Sequence, residues 1–147
     1  MKTTLLTALL ACAGLAAHAQ NPTAAIKSLL TSKTWKINYC LINGFKPAEF
    51  TQANNIKNVD VYREGDRYIF RNDGTYTLIS TQGGGGNGVW DVQGQTVILN
   101  PGSAGGGTHF DIAKADATYW HGRTVRRLGL CNVTSLYEVS WTPAQVQ

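Results

Sequence analysis

The sequence predicts an all-β protein, a small eight-stranded antiparallel up-and-down barrel with a short N-terminal helix. From Thr34 onward, apolar and polar residues alternate with the period of two that is typical of half-buried strands. Clusters of Gly, Asn, Asp and Pro recur at short, fairly even intervals, which indicates sequential hairpins in a barrel or sandwich. The chain shows no alternation of helices with strands, and this absence excludes the α/β folds.

The N-terminal segment has the pattern of a secretory signal peptide. Lys2 supplies a positive charge, residues 5–15 are apolar and uncharged, and Ala17-His18-Ala19 is a small-x-small cleavage site. The apolar run is shorter than the roughly 20 residues of a membrane-spanning helix, and no later stretch predicts a span. We therefore expect cleavage after residues 1–19, and export of residues 20–147 as one domain to the periplasm or the extracellular space.

A helix and a strand open the predicted domain. Residues 21–32 carry Ala, Ile and Leu at helical spacing and predict one short helix. Residues 34–42 predict the first strand, whose apolar face is formed by Trp35, Ile37, Tyr39 and Leu41. Residues 43–58 form a longer polar connection to the next strand.

The turn signals in the rest of the chain define the remaining strands. Asn72-Asp73-Gly74 is a strong hairpin signal, because these residue types tolerate positive φ. Gln93-Gly94 predicts a second tight reversal, and glycine runs interrupt the chain before and after it. The predicted strands are residues 60–72, 75–81, 89–92, 96–99, 109–113, 117–128 and 135–141.

The cysteines predict one disulfide. Cys12 lies in the signal segment, which leaves Cys40 and Cys131 as an even pair in an oxidising compartment. Cys40 is near the end of the first strand and Cys131 precedes the last, so an antiparallel barrel brings them to one rim. Cys40 has the opposite parity to the apolar residues of its strand, so we expect the bridge on the outer face. Adding His109 and His121 gives no zinc-site spacing, so no metal is predicted.

Several functions are excluded by composition and spacing. The formal net charge is only +4 at pH 7, and the basic residues are spread out apart from Arg123, Arg126 and Arg127, so nucleic-acid binding is not expected. The glycine-rich residues 83–88 lack a following Lys-Ser or Lys-Thr and a helix, so they predict a flexible loop rather than a phosphate site. No nucleophile has a base at a recognisable spacing, so no enzyme activity, catalytic residue or cofactor is predicted.

The aromatic residues form the candidate ligand site. An eight-stranded barrel is just wide enough to be filled by its own side chains or to hold one small ligand, and aromatic side chains suit both outcomes. Arg123 and Arg126 have opposite strand parity, so we expect one to face outward and the other to hold a polar group of the ligand. The candidate inward residues are Trp35, Ile37, Tyr39, Tyr68, Phe70, Tyr76, Trp90 and Ile98.

Three stretches resemble the small lipocalin-like domains that bacteria of the Bacteroidetes type export. They are LLTSKTWKI at residues 29–37, YIFRNDGTY at 68–76 and GVWDVQGQTVIL at 88–99, and the resemblance covers roughly residues 26–99. It implies a barrel with a small-molecule cavity, and it transfers no catalytic residues.

The predicted function is non-covalent binding of a small hydrophobic or amphipathic molecule. The alternative is a secreted inhibitor or protein-interaction module that acts through exposed loops, where function on a rigid scaffold often lies. An interior cavity of about 300 Å³ or more, the lower end for ligand pockets, distinguishes the first function from the second.

Overall fold

The computed structural model describes residues 21–54, 62–104, 106–128 and 133–145. The predicted signal peptide and Cys131 lie outside these residues. In the described part, no helix is long and apolar enough to cross a membrane.

Eight strands form one closed barrel in which each strand pairs antiparallel with the next and the last pairs with the first. The predicted eight-stranded antiparallel up-and-down barrel is therefore confirmed. The elements in chain order are α1 (Pro22–Thr31), β1 (Trp35–Ile42), α2 (Pro47–Asn54), β2 (Arg67–Phe70), β3 (Thr75–Ile79), β4 (Gly85–Gln93), β5 (Thr96–Leu99), β6 (Thr108–Ala115), β7 (Trp120–Leu128) and β8 (Val133–Pro143).

Helix α1 closes one end of the barrel. Its N-cap is Asn21, whose Oδ1 accepts a hydrogen bond from the Thr23 N–H at 3.1 Å. Ile26 and Leu30 are the buried residues of the helix, and the carbonyl of Leu30 accepts a hydrogen bond from Trp35 Nε1 at 3.0 Å. The apolar face predicted from helical spacing thus packs over the end of the barrel.

The β2–β3 hairpin has the turn that its sequence predicts. Gly74 has a φ of 80°, and Asp73 Oδ1 accepts hydrogen bonds from Thr75 N at 2.9 Å and Thr75 Oγ1 at 2.7 Å. Glycine adopts this φ without the steric cost that a side chain would bring, and the Asp side chain holds the turn closed.

A bulge in β1 overturns two expectations about that strand. Ile37 pairs with Trp141 of β8 but Tyr39 pairs with Ser140, so one extra residue lies between them and the side-chain alternation is reversed beyond it. The interior position expected for Tyr39 is therefore wrong: Tyr39 is half-buried on the outer face, 6.2 Å from the His121 ring. Cys40 points inward and is buried.

The expected Cys40–Cys131 disulfide is not formed in the structure, where Cys40 carries a free thiol. Cys40 pairs with Val139 in the body of β8, and the bulge directs the Cys40 side chain into the barrel interior. The outer-face position expected for this cysteine is therefore wrong as well. Cys131 lies outside the described residues.

Ile98 is the other residue whose predicted face is wrong. Trp90 points inward and pairs with Leu99, so Leu99 and Val97 face the interior of the barrel. Ile98 alternates with them and pairs with Asp91 and His109 on the outer face. Ile98 is buried on the outer face, with only 3 % of it exposed, which explains why an apolar residue stands at an outward position.

The two ends of the barrel differ in how they are filled. We call the end covered by α1 the closed half, and its interior holds Trp35, Phe70, Trp90, Phe110, Trp120 and Trp141, all buried. The Trp120 and Trp141 rings lie parallel with their centroids 3.5 Å apart, and Phe110 packs edge-on against Trp141 at 5.1 Å. We call the opposite end, beside the β3–β4 and β5–β6 loops, the open half.

Candidate functional site

A cavity of about 380 Å³ lies in the open half. Its walls combine apolar side chains with a rim of polar ones. The apolar and aromatic lining residues are Tyr62, Tyr68, Tyr76, Leu78 and Leu99, and the polar ones include Arg63, Asp66, Asn100, Thr108 and Arg126. Its volume lies within the range of about 300–1,000 Å³ that is typical of small-molecule sites.

The cavity exists because small residues occupy inward positions in the open half. On β4, Gly86 and Gly88 pair with Leu78 and Tyr76 of β3, whereas Trp90 and Val92 occupy the inward positions toward the closed half. The glycine-rich end of β4 therefore contributes no side chain to the interior. The space inside Gly88 is taken by Tyr76 and Asn100, whereas a Cβ at Gly86 would have no neighbour within 4 Å.

Two tyrosines form the aromatic wall of the cavity. The Tyr68 and Tyr76 rings lie 6.0 Å apart and are stacked at 27°. Phe70 lies beneath them, with its ring 6.1 Å from that of Tyr68 and 4.9 Å from that of Trp90. The Trp90 indole N–H donates to the Arg71 carbonyl at 3.0 Å, which fixes the base of this wall.

Asp66 is a buried carboxylate at the cavity. Its Oδ1 accepts hydrogen bonds from Thr81 N at 2.8 Å and from Thr81 Oγ1 at 3.1 Å. These bonds tie the segment before β2 to the loop after β3, and they compensate the carboxylate for lost hydration. Asp66 was not predicted from the sequence, because a single Asp after a glycine carries no pattern.

The structure separates the two candidate arginines. Arg123 lies on the outer face, where its Nε donates to Glu138 Oε1 at 3.0 Å. Of the two arginines considered as the ligand's polar anchor, Arg123 is therefore the wrong one. Arg126 shares the inward face of β7 with the buried Thr124 and lines the cavity. Its guanidinium lies 5.8 Å from the centroid of the Tyr62 ring, within range of a cation–π contact.

Tyr62 links the cavity to the core. Its ring packs edge-on against Phe110 at 5.2 Å and against Tyr137 at 6.0 Å. It comes from the connection that follows β1, so its position could be found only from the folded chain. The neighbouring interior also holds Cys40, and burial raises the pKa of that thiol to about 11, partly opposed by a backbone hydrogen bond involving Tyr62.

Of the predicted site residues, Tyr68, Tyr76 and Arg126 line the cavity. Phe70 and Trp90 support its wall from below, and Trp35 lies at the far end of the barrel beneath α1. Tyr39 and Arg123 are outside the barrel. The other side chains that line the cavity were not predicted from the sequence: Tyr62, Arg63, Asp66, Leu78, Ser80, Leu99, Asn100 and Thr108. Among them Asn100 had a turn signal, as the first residue of the Asn-Pro-Gly turn.

No constellation suited to metal binding appears in the residues that the structure describes, where no three His, Cys, Asp or Glu side chains come together. His121 lies beside Tyr39, and burial lowers its pKa, opposed by Glu138 and assisted by Arg123. The side chains that line the cavity offer apolar contact, hydrogen bonding and charges of both signs.

Comparisons with known proteins identify a distant structural likeness. No protein-family model matches the chain, and no curated protein matches it significantly. Among solved structures, the bovine odorant-binding protein in complex with its natural ligand is 15 % identical, with a TM-score of 0.49 over 82 % of this chain and 74 % of that protein. At this distance the likeness carries no argument, and the fold assignment rests on the strand topology.

Proposed function

We propose that this protein is an exported binding protein that holds one small amphipathic molecule in the open half of its barrel. The observation that carries the proposal is the cavity of about 380 Å³, which lies between an aromatic wall and a polar rim. Tyr68, Tyr76, Leu78 and Leu99 would contact the apolar body of the ligand. Arg126 would act as the polar anchor.

The contrast with the closed half supports this proposal. The closed half is filled with mutually packed aromatic rings, as a purely structural barrel would be throughout. A cavity lined by a few polar groups among apolar ones is the usual form of a small-molecule site.

Binding of N-phenyl-1-naphthylamine, a neutral fluorophore that brightens in apolar sites, tests the proposal. We expect saturable binding of one molecule per chain. Leu78→Trp places a large ring in the cavity and should weaken binding at least about tenfold. The matched control is Val89→Trp, because Val89 is half-exposed on the neighbouring strand and does not line the cavity.

Equal affinity of Leu78→Trp and Val89→Trp would contradict the proposed site, and so would the absence of saturable binding to the wild type. Circular dichroism and a thermal melt establish that both variants are folded. Native mass spectrometry of exported protein, before and after organic extraction, should show a mass difference that identifies a natural ligand.

Export rests on the sequence of residues 1–19. N-terminal sequencing of exported material should give a mature end within a few residues of Gln20. A chain that begins with a lipidated Cys12 would contradict release as a free protein.

A protein-interaction module is the second candidate function. Val125 and Leu136 pair directly on the outer faces of β7 and β8, and they are 64 % and 38 % exposed. Asn43 binds Leu136 through two hydrogen bonds of 2.8 Å, which joins the loop carrying the exposed Phe45 to this apolar face. This function predicts that Val125→Asp changes partner binding and leaves N-phenyl-1-naphthylamine binding unchanged.

A further inference from the structure

The hydroxyl of Tyr76 is held at the cavity by one side chain, Asn100. Asn100 Nδ2 donates a hydrogen bond to the Tyr76 hydroxyl oxygen at 3.0 Å, and Asn100 Oδ1 accepts one from Val89 N at 3.2 Å. A backbone N–H can only donate, so the atom that faces Val89 must be the amide oxygen. The orientation of the Asn100 amide is therefore determined by its partners.

This orientation leaves the Tyr76 hydroxyl as a donor. Its oxygen already accepts from Asn100, so its own proton is available for a different acceptor. Within the residues that the structure describes, no acceptor for that proton is found. A part-buried hydroxyl of this kind favours a partner that brings an oxygen acceptor.

The backbone near Asn100 and Tyr76 allows the hydrogen bond between their side chains. Asn100 has a φ of 55°, in the left-handed region that residues other than Gly and Asn seldom adopt. Gly88 lies directly beneath, and a Cβ at that position would overlap both Asn100 Oδ1 and the Tyr76 ring. The conformation of Asn100 and the absence of a side chain at position 88 are both needed for the amide to reach the hydroxyl.

The charges around the cavity favour an anion. Among the residues that the structure describes, the charged ones that line it are Arg63, Arg126 and Asp66, whose formal charges sum to one positive charge. The Asp66 carboxylate is already bound by Thr81 through two hydrogen bonds. An acceptor with negative charge would therefore meet both a hydrogen-bond donor and a positive rim.

We propose that the cavity selects an anionic amphiphile, whose acidic group accepts the Tyr76 hydroxyl proton while its apolar body contacts the aromatic wall, and that Asn100 is the positioning residue of this subsite. The inference rests on the proposed function, because it names the ligand class of the same cavity. Asn100 acts through Tyr76, by keeping the hydroxyl proton turned away from itself.

A matched pair of fluorophores tests this selection. 8-Anilino-1-naphthalenesulfonate and N-phenyl-1-naphthylamine share one ring system and differ by the anionic sulfonate. Tyr76→Phe should weaken binding of the sulfonate about tenfold, the order expected for a hydrogen bond to a charged group, and change binding of the neutral probe less than about twofold. Tyr39→Phe is the matched control, since it removes a tyrosine hydroxyl from the outer face.

Asn100→Asp tests the positioning role. Its carboxylate can still accept from Val89 N, but it would accept the Tyr76 proton instead of donating to Tyr76, and it adds a negative charge. We expect the sulfonate to bind more than about tenfold more weakly, with the neutral probe still bound. Thermal melts identify a variant that fails to fold, and Tyr76→Phe then carries the test alone.

The outcomes separate this inference from the proposed function. If the neutral probe binds and Leu78→Trp prevents it, but Tyr76→Phe affects both probes equally or neither, the anionic selection is wrong and the binding site stands. If neither probe binds the wild type saturably, the proposed function itself is wrong.

Discussion

The closed and open halves of the barrel use the same strands and the same alternation, yet one is solid and the other hollow. In the closed half, β7 and β8 contribute the stacked Trp120 and Trp141 to the interior. Toward the open half, the same two strands contribute the smaller Thr124 and Ser135, both buried, together with the buried Tyr137 and with Arg126, which lines the cavity. The side chains at inward positions, rather than strand geometry, therefore decide where this barrel has room for a ligand.

The largest effect is expected from removing a ring of the closed half. Trp35 is fully buried and its indole donates to Leu30, so Trp35→Ala should lower the free energy of unfolding by about 3–5 kcal/mol. Denaturant melts measure the change, with Val125→Ala on the outer face as the control that should stay within about 0.5 kcal/mol. A wild-type midpoint for Trp35→Ala would mean that the closed half is not tightly packed.

The buried thiol tests whether the interior beside the cavity excludes water. Burial raises the pKa of Cys40 from 9.0 to about 11, so in the unfolded chain the thiol loses its proton at a lower pH than in the folded one. Cys40 should thus cost stability as the pH rises from about 9 to 11, by up to about 3 kcal/mol relative to Cys40→Ala, with no such loss below pH 9.

Two measurements check this prediction. Melts of wild type and Cys40→Ala across that pH range give the stability difference. In a Cys12→Ser, Cys131→Ser background, native Cys40 should react with iodoacetamide at pH 8 far more slowly than in denaturant, because its thiolate is scarce and buried. Equal rates would mean that water reaches this part of the interior.

A pair of glycines compares the packing of the two halves directly. A Cβ at Gly122 would lie 3.1 Å from Trp120, 3.2 Å from Phe110 and 3.3 Å from Trp141, whereas a Cβ at Gly86 would have no neighbour within 4 Å. Gly122→Ala should therefore destabilise the protein by about 1–3 kcal/mol through overpacking. Gly86→Ala should be neutral or stabilise it by up to about 1 kcal/mol. Equal changes in stability for the two variants would mean that the closed half is packed no more tightly than the open half.

The smallest effect concerns the ion pair that joins α1 to the barrel. Lys27 Nζ lies 2.7 Å from Asp91 Oδ1, and the hydrogen bond from Lys27 lowers the pKa of Asp91. Both side chains are exposed, so Asp91→Asn should lower stability at pH 7 by less than about 1 kcal/mol. A lowered pKa of Asp91 gives stability that is present above the unfolded value of 3.8 and is lost on further acidification, so wild type and variant should converge as the pH falls below 3.8. Melts at both pH values provide the check.

The strands themselves were predictable because their signals are local. The Asn-Asp-Gly turn, the Gln-Gly turn and the alternation around Trp35 and Trp90 each depend on a few neighbouring residues. They predicted the number of strands, their antiparallel order and the inward direction of Tyr68, Phe70, Tyr76 and Trp90, all of which are buried in the barrel core. The errors at Tyr39, Cys40 and Ile98 have causes that lie in the pairing between strands.

The sequence by itself determined the class of fold and most of the core, because strand parity and turn geometry follow from short stretches of chain. Only the tertiary structure decided where the parity changes, since the bulge after Ile37 is set by pairing with β8. It also decided which arginine faces the cavity and that the open half is hollow. A cavity depends on the summed volumes of side chains from strands far apart in sequence, such as Leu78, Leu99 and Thr108, and no local pattern records that sum.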